Sequence, residues 1–261
     1  MEHLALGWVL LIGTLAAGSP PHRRDSITDK EMDMALTSFD DQYQGCGHLM
    51  EEELPELNRT EFTNNKAYAE DWAIATAKWQ NCHRCNPQMR VLRPKLAIAV
   101  LAYSYNGSLY REFNKATREA GRSREYYLHH FHFKVLHFLL TEALRALRDS
   151  RPRRCYQVYR GVQGIRFTAQ QHQSVRFGQF TSTSSLKNIA ECFGQDTFFR
   201  VKTCHGVPIK DFSFFPEEEE VLIPPFEVFE VTKVTRIGNR SFIHLSSQDI
   251  FSNYNCEFVK G

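Results

Sequence analysis

The stretch RALRDSRPRRCYQVYRGV, residues 145–162, marks the point where the chain changes character. Before it, from about Asp29 to Asp149, apolar residues recur at the three- and four-residue spacing of amphipathic helices. After Arg151-Pro-Arg-Arg154, short apolar or β-branched runs are separated by Gly and Pro, which is typical of strands and turns. Because helices come first and strands second, the sequence predicts an α+β fold and not a βαβ alternation.

The same patterns predict individual elements. Helices are predicted most clearly at Asn64–Gln80, Pro94–Tyr105 and Arg124–Leu147. Strands are predicted at Tyr156–Val162, Gly178–Ser184, Thr197–Thr203, Glu219–Ile223, and in a hairpin of Phe226–Ile237 and Ser241–Leu245 around Gly238-Asn239. The sequence contains no dinucleotide-binding glycine fingerprint, no P-loop and no evident internal repeat.

Composition limits the classes of function. The 261 residues are 42% hydrophobic and 24% charged, which suits one or two globular domains with a buried core. The net charge of +2 provides no basic field for nucleic acid and excludes polyacidic disorder. Seven cysteines favour an oxidising compartment, because reduced compartments rarely hold so many without metal or catalysis.

The N-terminus supports that compartment. Leu4–Ala17 is an uncharged stretch of fourteen residues, so it predicts a signal peptide over residues 1–18 in preference to an uncleaved anchor. Sequons at Asn58, Asn106 and Asn239 are predicted glycosylation sites of a secretory protein. The sequence ends without the hydrophobic tail of a GPI signal, so we expect a soluble, secreted protein.

Several cysteine and histidine clusters have more than one interpretation. Cys82 and Cys85 form a lone C-x-x-C, which favours a local disulfide or two free thiols over zinc, because no second pair completes a tetrahedral site. Cys192 has apolar neighbours that predict a buried thiol. Four histidines on the predicted helix Arg124–Leu147 are interpreted as surface or interface residues and not as metal ligands: His129, His130, His132 and His137, of which His130 and His137 could share a face.

The remaining four cysteines could close long loops. Cys46 and Cys256 bracket nearly the whole mature chain, while Cys155 and Cys204 bracket the first three predicted strands. The spacing alone leaves the connectivity open.

Three segments of the strand half carry polar groups that suggest chemistry: Tyr159-Arg160-Gly161, Phe180–Ser184 and Glu217–Glu220. Each by itself has an ordinary interpretation, as a surface arginine, an exposed strand face or a solvated acidic loop. On a strand, however, Glu218 and Glu220 point to one face, and two converging carboxylates are costly unless a ligand or an arginine uses them. Arginine, serine hydroxyls and paired carboxylates together suit a phosphorylated sugar substrate that reacts through an oxocarbenium-like state.

This order of Arg, Ser-Thr-Ser and Glu-x-Glu resembles the R-S-E signature of the arginine-specific mono-ADP-ribosyltransferases, the vertebrate secreted and GPI-anchored enzymes related to bacterial transferases. The resemblance covers essentially the whole chain, including Arg176–Ser184 and the late Cys256, and the missing tail is most like the secreted branch. It implies a helical half, residues 19–150, packed on a mostly antiparallel β-sandwich NAD-binding core, residues 151–261. Residues 19–261 are then expected to form one compact catalytic domain.

The resemblance also implies roles for single residues. Arg160 would orient NAD through a phosphate, and Ser182 would steady the site beside the nicotinamide ribose, with Gly161 and Gln179 also binding NAD. Glu220 would be the catalytic glutamate, stabilising the positive charge that develops as nicotinamide leaves.

Glu218 would hold or deprotonate the guanidinium of the acceptor, whose high pKa makes positioning and charge matching necessary. Glu217-x-Glu219 is a competing register, and Glu218-x-Glu220 is preferred because Glu220 directly precedes Val-Leu-Ile.

Disulfides between Cys46 and Cys256 and between Cys155 and Cys204 are further implications of the resemblance. Cys82 and Cys85 are then a plausible third bridge, and Cys192 is left over.

We therefore expect a secreted, monomeric transferase that passes ADP-ribose from NAD to arginine of extracellular proteins, or to free guanidines, and releases nicotinamide. NAD is expected as co-substrate, with no metal, no nucleic acid partner and no membrane anchor. One alternative is an enzyme that is predominantly an NAD glycohydrolase, with water as the acceptor. Another is a catalytically weak secreted binding module on the same fold, against which the intact Arg160, Ser182, Glu218 and Glu220 argue.

Overall fold

The structure is a computed structural model that describes residues 27–82, 84 and 86–260. The predicted signal peptide, residues 1–18, and Cys85 of the C-x-x-C lie outside these residues. None of the helices in the described ranges is long and apolar enough to cross a membrane.

The first half of the described chain is mainly helical. Its helices are α1 Gly47–Asn64, α2 Lys66–Cys82, α3 Pro94–Ser104, α4 Leu109–Ala120, α5 Arg124–His130 and α6 Lys134–Asp149. Helix α3 begins at Pro94, whose fixed φ and missing N–H suit a first helical position. Its residues Leu96–Tyr103 are all buried, so α3 runs through the interior of the helical layer.

The prediction of one continuous helix over Arg124–Leu147 is wrong, because the helix is interrupted between α5 and α6. Phe131 adopts an extended conformation at the break, and both Phe131 and Phe133 are buried. Residues two apart point in different directions on a helix, so a continuous helix could not have buried both rings on one side. The helical spacing continues on each side of the break, which is why the sequence pattern did not reveal it.

The break also corrects the interpretation of His137. Its side chain is completely buried, with Nε2 donating to the Phe39 carbonyl at 3.2 Å and Nδ1 accepting from the Tyr43 hydroxyl at 2.8 Å. Burial lowers the pKa of His137 to about 3, so the ring is neutral. His130 lies on the other helix and is exposed, so the two histidines do not share a face.

The second half of the chain is mainly strands. They are β1 Thr28–Glu31, β2 Tyr156–Val162, β3 Ile165–Thr168, β4 Ser174–Val175, β5 Thr181–Ser184, β6 Thr197–Thr203, β7 Val207–Pro208, β8 Glu220–Ile223, β9 Glu227–Ile237 and β10 Arg240–Ile250, with the short helix α7 Lys187–Cys192 after β5. The strand β1 lies within the region predicted to be helical. It pairs in parallel with β3 through its backbone and is exposed throughout, so no apolar pattern announced it.

Eight strands form one sheet in the order β4-β9-β10-β6-β2-β5-β8-β7, and β10 with β6 is its parallel pair. Between β2 and β5 the register is reduced to the single pair Tyr159 and Ser184, so the sheet divides there into two parts. Val158 and Ile243 from one part share a hydrophobic core with Val221 and Ile223 from the other. The mostly antiparallel sheet and the preceding helical layer confirm the predicted α+β fold.

The strand β8 belongs to two cores at once. Val221 and Ile223 face the core of the sheet, whereas Leu222 packs with α3, α4 and α6 in the helical core. Side chains alternate along a strand, so Glu220 is on the same side as Leu222, toward the helices. This alternation places a buried carboxylate between the two layers.

Two disulfides join Cys46 to Cys256 and Cys155 to Cys204, as the resemblance implied. Cys82 is a half-buried free cysteine. The prediction of a buried Cys192 is wrong: its thiol is exposed at the end of α7. The neighbouring Phe193, which suggested burial, is itself 56% exposed.

Candidate active site

A cavity of about 710 Å³ lies between the helical layer and the strands β2, β5 and β8. All six residues predicted to act on NAD or the acceptor line it: Arg160, Gly161, Gln179, Ser182, Glu218 and Glu220. Arg160, Ser182, Glu218 and Glu220 form what we call the strand wall. Tyr103, Asn114 and Arg118 from α3 and α4 form the helical wall on the other side.

Arg160 is held inside the strand wall. It lies near the end of β2, and its Nη1 donates to the main-chain carbonyl of Ser182 on β5 at 2.6 Å. Burial lowers the pKa of this guanidinium, while Tyr103 and Glu220 act in the opposite direction. A guanidinium remains protonated in proteins, so the cavity contains a fixed positive charge.

Gly161 is required by close packing. A Cβ at this position would lie 2.2 Å from the carbonyl oxygen of Ala190 and 2.3 Å from that of Gly194. Both contacts are with backbone, which cannot rotate away. The absence of a side chain therefore lets α7 and the turn after it pack directly on the end of β2.

Glu220 is the most buried carboxylate of the cavity, with 6% of its surface exposed. Its pKa is raised to about 7, chiefly by burial and also by the charge of Glu218, against the opposing effects of a hydrogen bond from Ser182 and the charge of Arg160. The Ser182 hydroxyl therefore donates to the ionised carboxylate. A carboxylate with such a pKa changes protonation state near neutral pH.

The backbone around Glu219 brings two glutamates to the same cavity. Glu218 ends the short 3₁₀ turn Pro216–Glu218, Glu219 has the left-handed φ of 46°, and Glu220 begins β8. Glu218 is thus not on a strand, contrary to the sequence expectation. With Glu219 in the left-handed conformation between them, Glu218 and Glu220 nevertheless both line the cavity.

The other two glutamates point elsewhere. Glu219 forms an ion pair of 3.0 Å with Lys210, and neither it nor Glu217 is among the residues that line the cavity. Glu218 is half-buried, and burial raises its pKa, as does the charge of Glu217. Geometry therefore favours the register Glu218-x-Glu220.

The helical wall was not predicted. Tyr103 donates through its hydroxyl to the Phe180 carbonyl at 2.9 Å and accepts from Asn114 Nδ2 at 3.0 Å. The pKa of Tyr103 is raised to about 12, chiefly by burial and against the lowering effect of hydrogen bonds with Asn114 and Ser182, so the hydroxyl is protonated. Through Ser182 it reaches the strand wall.

Asn114 and Arg118 complete this wall. Asn114 is 7% exposed, and its Oδ1 is buried without a hydrogen-bond partner in the described part of the chain. Arg118, one turn later, donates to the side chain of Gln179 and is half-buried. The available signal was the four-residue spacing of Tyr110, Asn114 and Arg118, which puts the three side chains on one face of a helix.

Chemically, the cavity combines three guanidinium groups, those of Arg111, Arg118 and Arg160, with a buried carboxylate, Glu220, and a second carboxylate closer to solvent, Glu218. Such a set can hold a phosphorylated ligand and stabilise positive charge on it. Within the described ranges, no group of three or more His, Cys, Asp or Glu residues could hold a metal ion.

Comparison with known proteins gives a consistent result. A model of the family "NAD:arginine ADP-ribosyltransferase" matches residues 32–253. NAD(P)(+)–arginine ADP-ribosyltransferase 2 of Gallus gallus is 58% identical over 100% of this chain and 85% of the relative. The GPI-linked NAD(P)(+)–arginine ADP-ribosyltransferase 1 of Homo sapiens is 48% identical over 100% of this chain and 84% of the relative.

Solved structures of the same family also match this chain in fold. The crystal structure of the eukaryotic mono-ADP-ribosyltransferase ART2.2 matches with a TM-score of 0.74 and 38% identity, covering 87% of this chain and 99% of that one. A variant of ART2.2 solved in complex with NAD matches equally well, with a TM-score of 0.74.

Proposed function

The chain belongs to the NAD:arginine ADP-ribosyltransferase family, and from this premise we propose that the cavity between the helical and strand walls is its active site. The protein is an ADP-ribosyltransferase that uses NAD as co-substrate and arginine as acceptor. The observation that carries the assignment of the site is a buried glutamate, Glu220, hydrogen-bonded by Ser182 and facing the same cavity as Arg160 and Glu218.

Binding of NAD begins with its diphosphate. Arg160 and Arg118 supply two guanidinium groups from opposite walls, and a guanidinium matches the geometry of phosphate oxygens. Arg160 is pre-oriented by its hydrogen bond to Ser182, so little side-chain freedom is lost on binding. Gly161 lines the same cavity and, by letting α7 pack on the end of β2, helps to shape this side of it.

Cleavage of the nicotinamide–ribose bond is assisted by Glu220. As nicotinamide leaves, positive charge develops at the anomeric carbon, and a buried carboxylate that accepts from the ribose 2′-hydroxyl stabilises this charge. The cationic nicotinamide group of NAD favours the ionised form of Glu220, so binding lowers a pKa that is about 7 in the free site. Ser182 keeps the carboxylate in position through its hydrogen bond.

Transfer requires the second carboxylate. Glu218 lies at the same cavity but is half-buried, where it can meet the guanidinium of a protein arginine arriving from solvent. Its charge orients the acceptor, and the proton of the attacking nitrogen passes to it as the new C–N bond forms. Without an acceptor, water attacks the same carbon and the products are nicotinamide and free ADP-ribose.

The test is an acceptor assay. The protein is incubated with labelled NAD, with and without agmatine, and both nicotinamide and ADP-ribosyl-agmatine are measured. We expect most of the released nicotinamide to be matched by labelled agmatine. Release that is equal in both reactions and leaves agmatine unlabelled would identify a glycohydrolase, and no release at all would identify a binding module.

We also propose that the protein acts outside the cell, on arginines of extracellular proteins, as a monomer. Two disulfides support this compartment, and so do the exposed sequon residues Asn106 and Asn239. Expression in animal cells checks it: we expect protein that a peptide N-glycosidase shifts in mass and that elutes at the size of one chain. Protein without glycans or disulfides would contradict it.

A further inference from the structure

A second cavity, of about 530 Å³, lies at the end of α6 and shares no lining residue with the active site. Its walls come from the last turns of α6, the segment 151–155 that leads into β2, the strand β7 and the loop at Pro224–Phe226. Five arginines line it and no described aspartate or glutamate does: Arg145, Arg148, Arg151, Arg153 and Arg154. We call it the basic cavity.

Two of these arginines are committed to neighbouring groups. Arg145 forms an ion pair with Glu142 on the preceding turn of α6. Arg151 donates to the carbonyl of Pro208 at 3.0 Å and lies 4.0 Å from Asp211. The contact of Arg151 with Pro208 ties the segment to β7.

Arg148 brings a positive charge to the interior of the basic cavity, beside His205. Arg148 Nη1 donates to His205 Nδ1 at 2.8 Å, and the only carboxylate near Arg148 in the described ranges is Asp149, at 3.8 Å and 54% exposed. Burial and the charges of Arg148 and Arg153 lower the pKa of His205, which Asp249 opposes. With Nδ1 accepting, the neutral ring carries its proton on Nε2, which remains a donor for a ligand.

Arg153 and Arg154 are the uncommitted charges. Both are exposed, and no carboxylate of the described residues lies within ion-pair distance of either; Arg154 instead lies 4.8 Å from the ring centre of Tyr156. The adjoining disulfide between Cys155 and Cys204 holds this end of the segment. Two exposed guanidinium groups without a carboxylate partner attract an anion with more than one negative charge.

The remaining walls are apolar. Leu144, Leu147, Val207 and Phe226 line the interior behind the arginines. The volume is in the range of sites for small ligands, and apolar walls behind a charged rim suit a ligand that joins a ring system to an anionic group. We propose that the basic cavity binds a nucleoside diphosphate, with the phosphates on Arg153 and Arg154 and the nucleoside against the apolar wall.

The experiment measures ADP binding by calorimetry. In wild-type protein we expect two binding steps, one for each cavity. The substitution Arg153→Ala with Arg154→Ala should weaken one step at least tenfold and leave NAD turnover unchanged. Arg160→Ala should remove the other step. Arg236→Ala with Arg240→Ala, two exposed arginines in the β9–β10 hairpin, is the matched control for the loss of charge and should change neither.

Three results would overturn the proposal. One is a single ADP step that Arg160→Ala removes. Another is a second ADP-binding step that the double substitution Arg153→Ala with Arg154→Ala leaves intact. The charge reversals Arg153→Glu and Arg154→Glu repeat this test, and a second step that survives them would also overturn the proposal. The third is a heparin hexasaccharide that binds through Arg153 and Arg154 while ADP does not bind through them. That result would make the site a surface for sulfated glycans.

Discussion

The strand wall and the helical wall of the active site differ in how their residues reach the cavity. On the strand wall, Arg160 and Glu220 sit at strand ends in motifs that are continuous in sequence. On the helical wall, Tyr103 and Asn114 come from consecutive helices that meet only because the helical layer folds over the sheet. The difference teaches that the proposed reacting groups lie in local motifs of the chain, whereas the surface that holds them in place is made by packing.

The disulfide between Cys46 and Cys256 is expected to have the largest effect on this arrangement, because it joins the start of α1 to the end of the chain. Replacing both cysteines by serine releases a constraint across 210 residues, and chain entropy puts the loss at about 5 kcal/mol as an upper value. Chemical denaturation followed by fluorescence measures it. Cys82→Ser, at a free cysteine, is the control, and an equal loss there would contradict the expectation.

Glu220→Gln tests the strand wall. The amide keeps the size of the side chain but cannot stabilise a developing cation, so we expect NAD turnover to fall about 10³-fold. Nicotinamide release under saturating NAD measures it. Glu217→Gln and Glu219→Gln are matched controls from the same acidic run, outside the cavity, and should retain turnover. Equal activity of Glu220→Gln and these controls would refute the role of Glu220.

The same carboxylate should make stability depend on pH. Its pKa is 4.5 in an ordinary setting and about 7 in the folded protein, so the folded state holds the proton more tightly. Ionisation of Glu220 therefore lowers the free energy of unfolding. This loss is absent below pH 4.5, grows between pH 4.5 and 7 and is complete above pH 7, where it reaches at most about 3 kcal/mol.

Glu220→Gln should therefore unfold at higher denaturant than wild type at pH 8, and the difference should disappear at pH 4. Denaturation curves at both values check this. A difference that does not vary with pH would mean that Glu220 is not held in a site that raises its pKa. Glu217→Gln again serves as control, since it lies outside the cavity.

Glu218→Gln divides the two halves of the reaction. Because Glu218 is half-buried at the mouth and Glu220 deep in the cavity, we expect transfer to agmatine to fall about 10²-fold while nicotinamide release falls less than tenfold. Both products are measured in one reaction. Parallel loss of the two activities would show that the carboxylates do not have separate roles.

Tyr103→Phe tests the helical wall and should have the smallest effect. Loss of the hydroxyl leaves Asn114 Nδ2 and the Phe180 carbonyl without their partner and removes a contact with Ser182. We expect a loss of about 1–2 kcal/mol in unfolding free energy and about a tenfold lower kcat with little change in KM. Tyr126→Phe, on α5, is the control, and a change in stability without a change in kcat would limit Tyr103 to a structural role.

Much of the strand half was predictable because strand patterns are local. The predicted strands Tyr156–Val162 and Thr197–Thr203 coincide with β2 and β6, and the hairpin around Gly238-Asn239 is β9 and β10. The strand β1 escaped because its exposed residues carry no apolar alternation, and it pairs with β3 through its backbone and an ion pair between Asp29 and Arg166.

Errors of another kind arose where packing overrides periodicity. The aromatic rings of Phe131 and Phe133 interrupt a stretch of helical spacing because both are buried in the helical core. Packing likewise buries His137 completely, although its side chain is polar. Cys192 is the opposite case, since its apolar neighbour Phe193 stays largely exposed.

From its sequence alone, the chain could be assigned an α+β fold, because strand alternation and helical spacing depend on neighbours along the chain. The candidate site residues Arg160, Ser182, Glu218 and Glu220 came from short motifs and from the family resemblance that these motifs carry. Only the tertiary structure decided that Glu218 and Glu220 meet through the left-handed turn at Glu219, that α3 and α4 supply Tyr103, Asn114 and Arg118, and that five arginines surround a second cavity. These features depend on contacts between residues far apart in sequence, and no local pattern encodes the angle at which two layers pack.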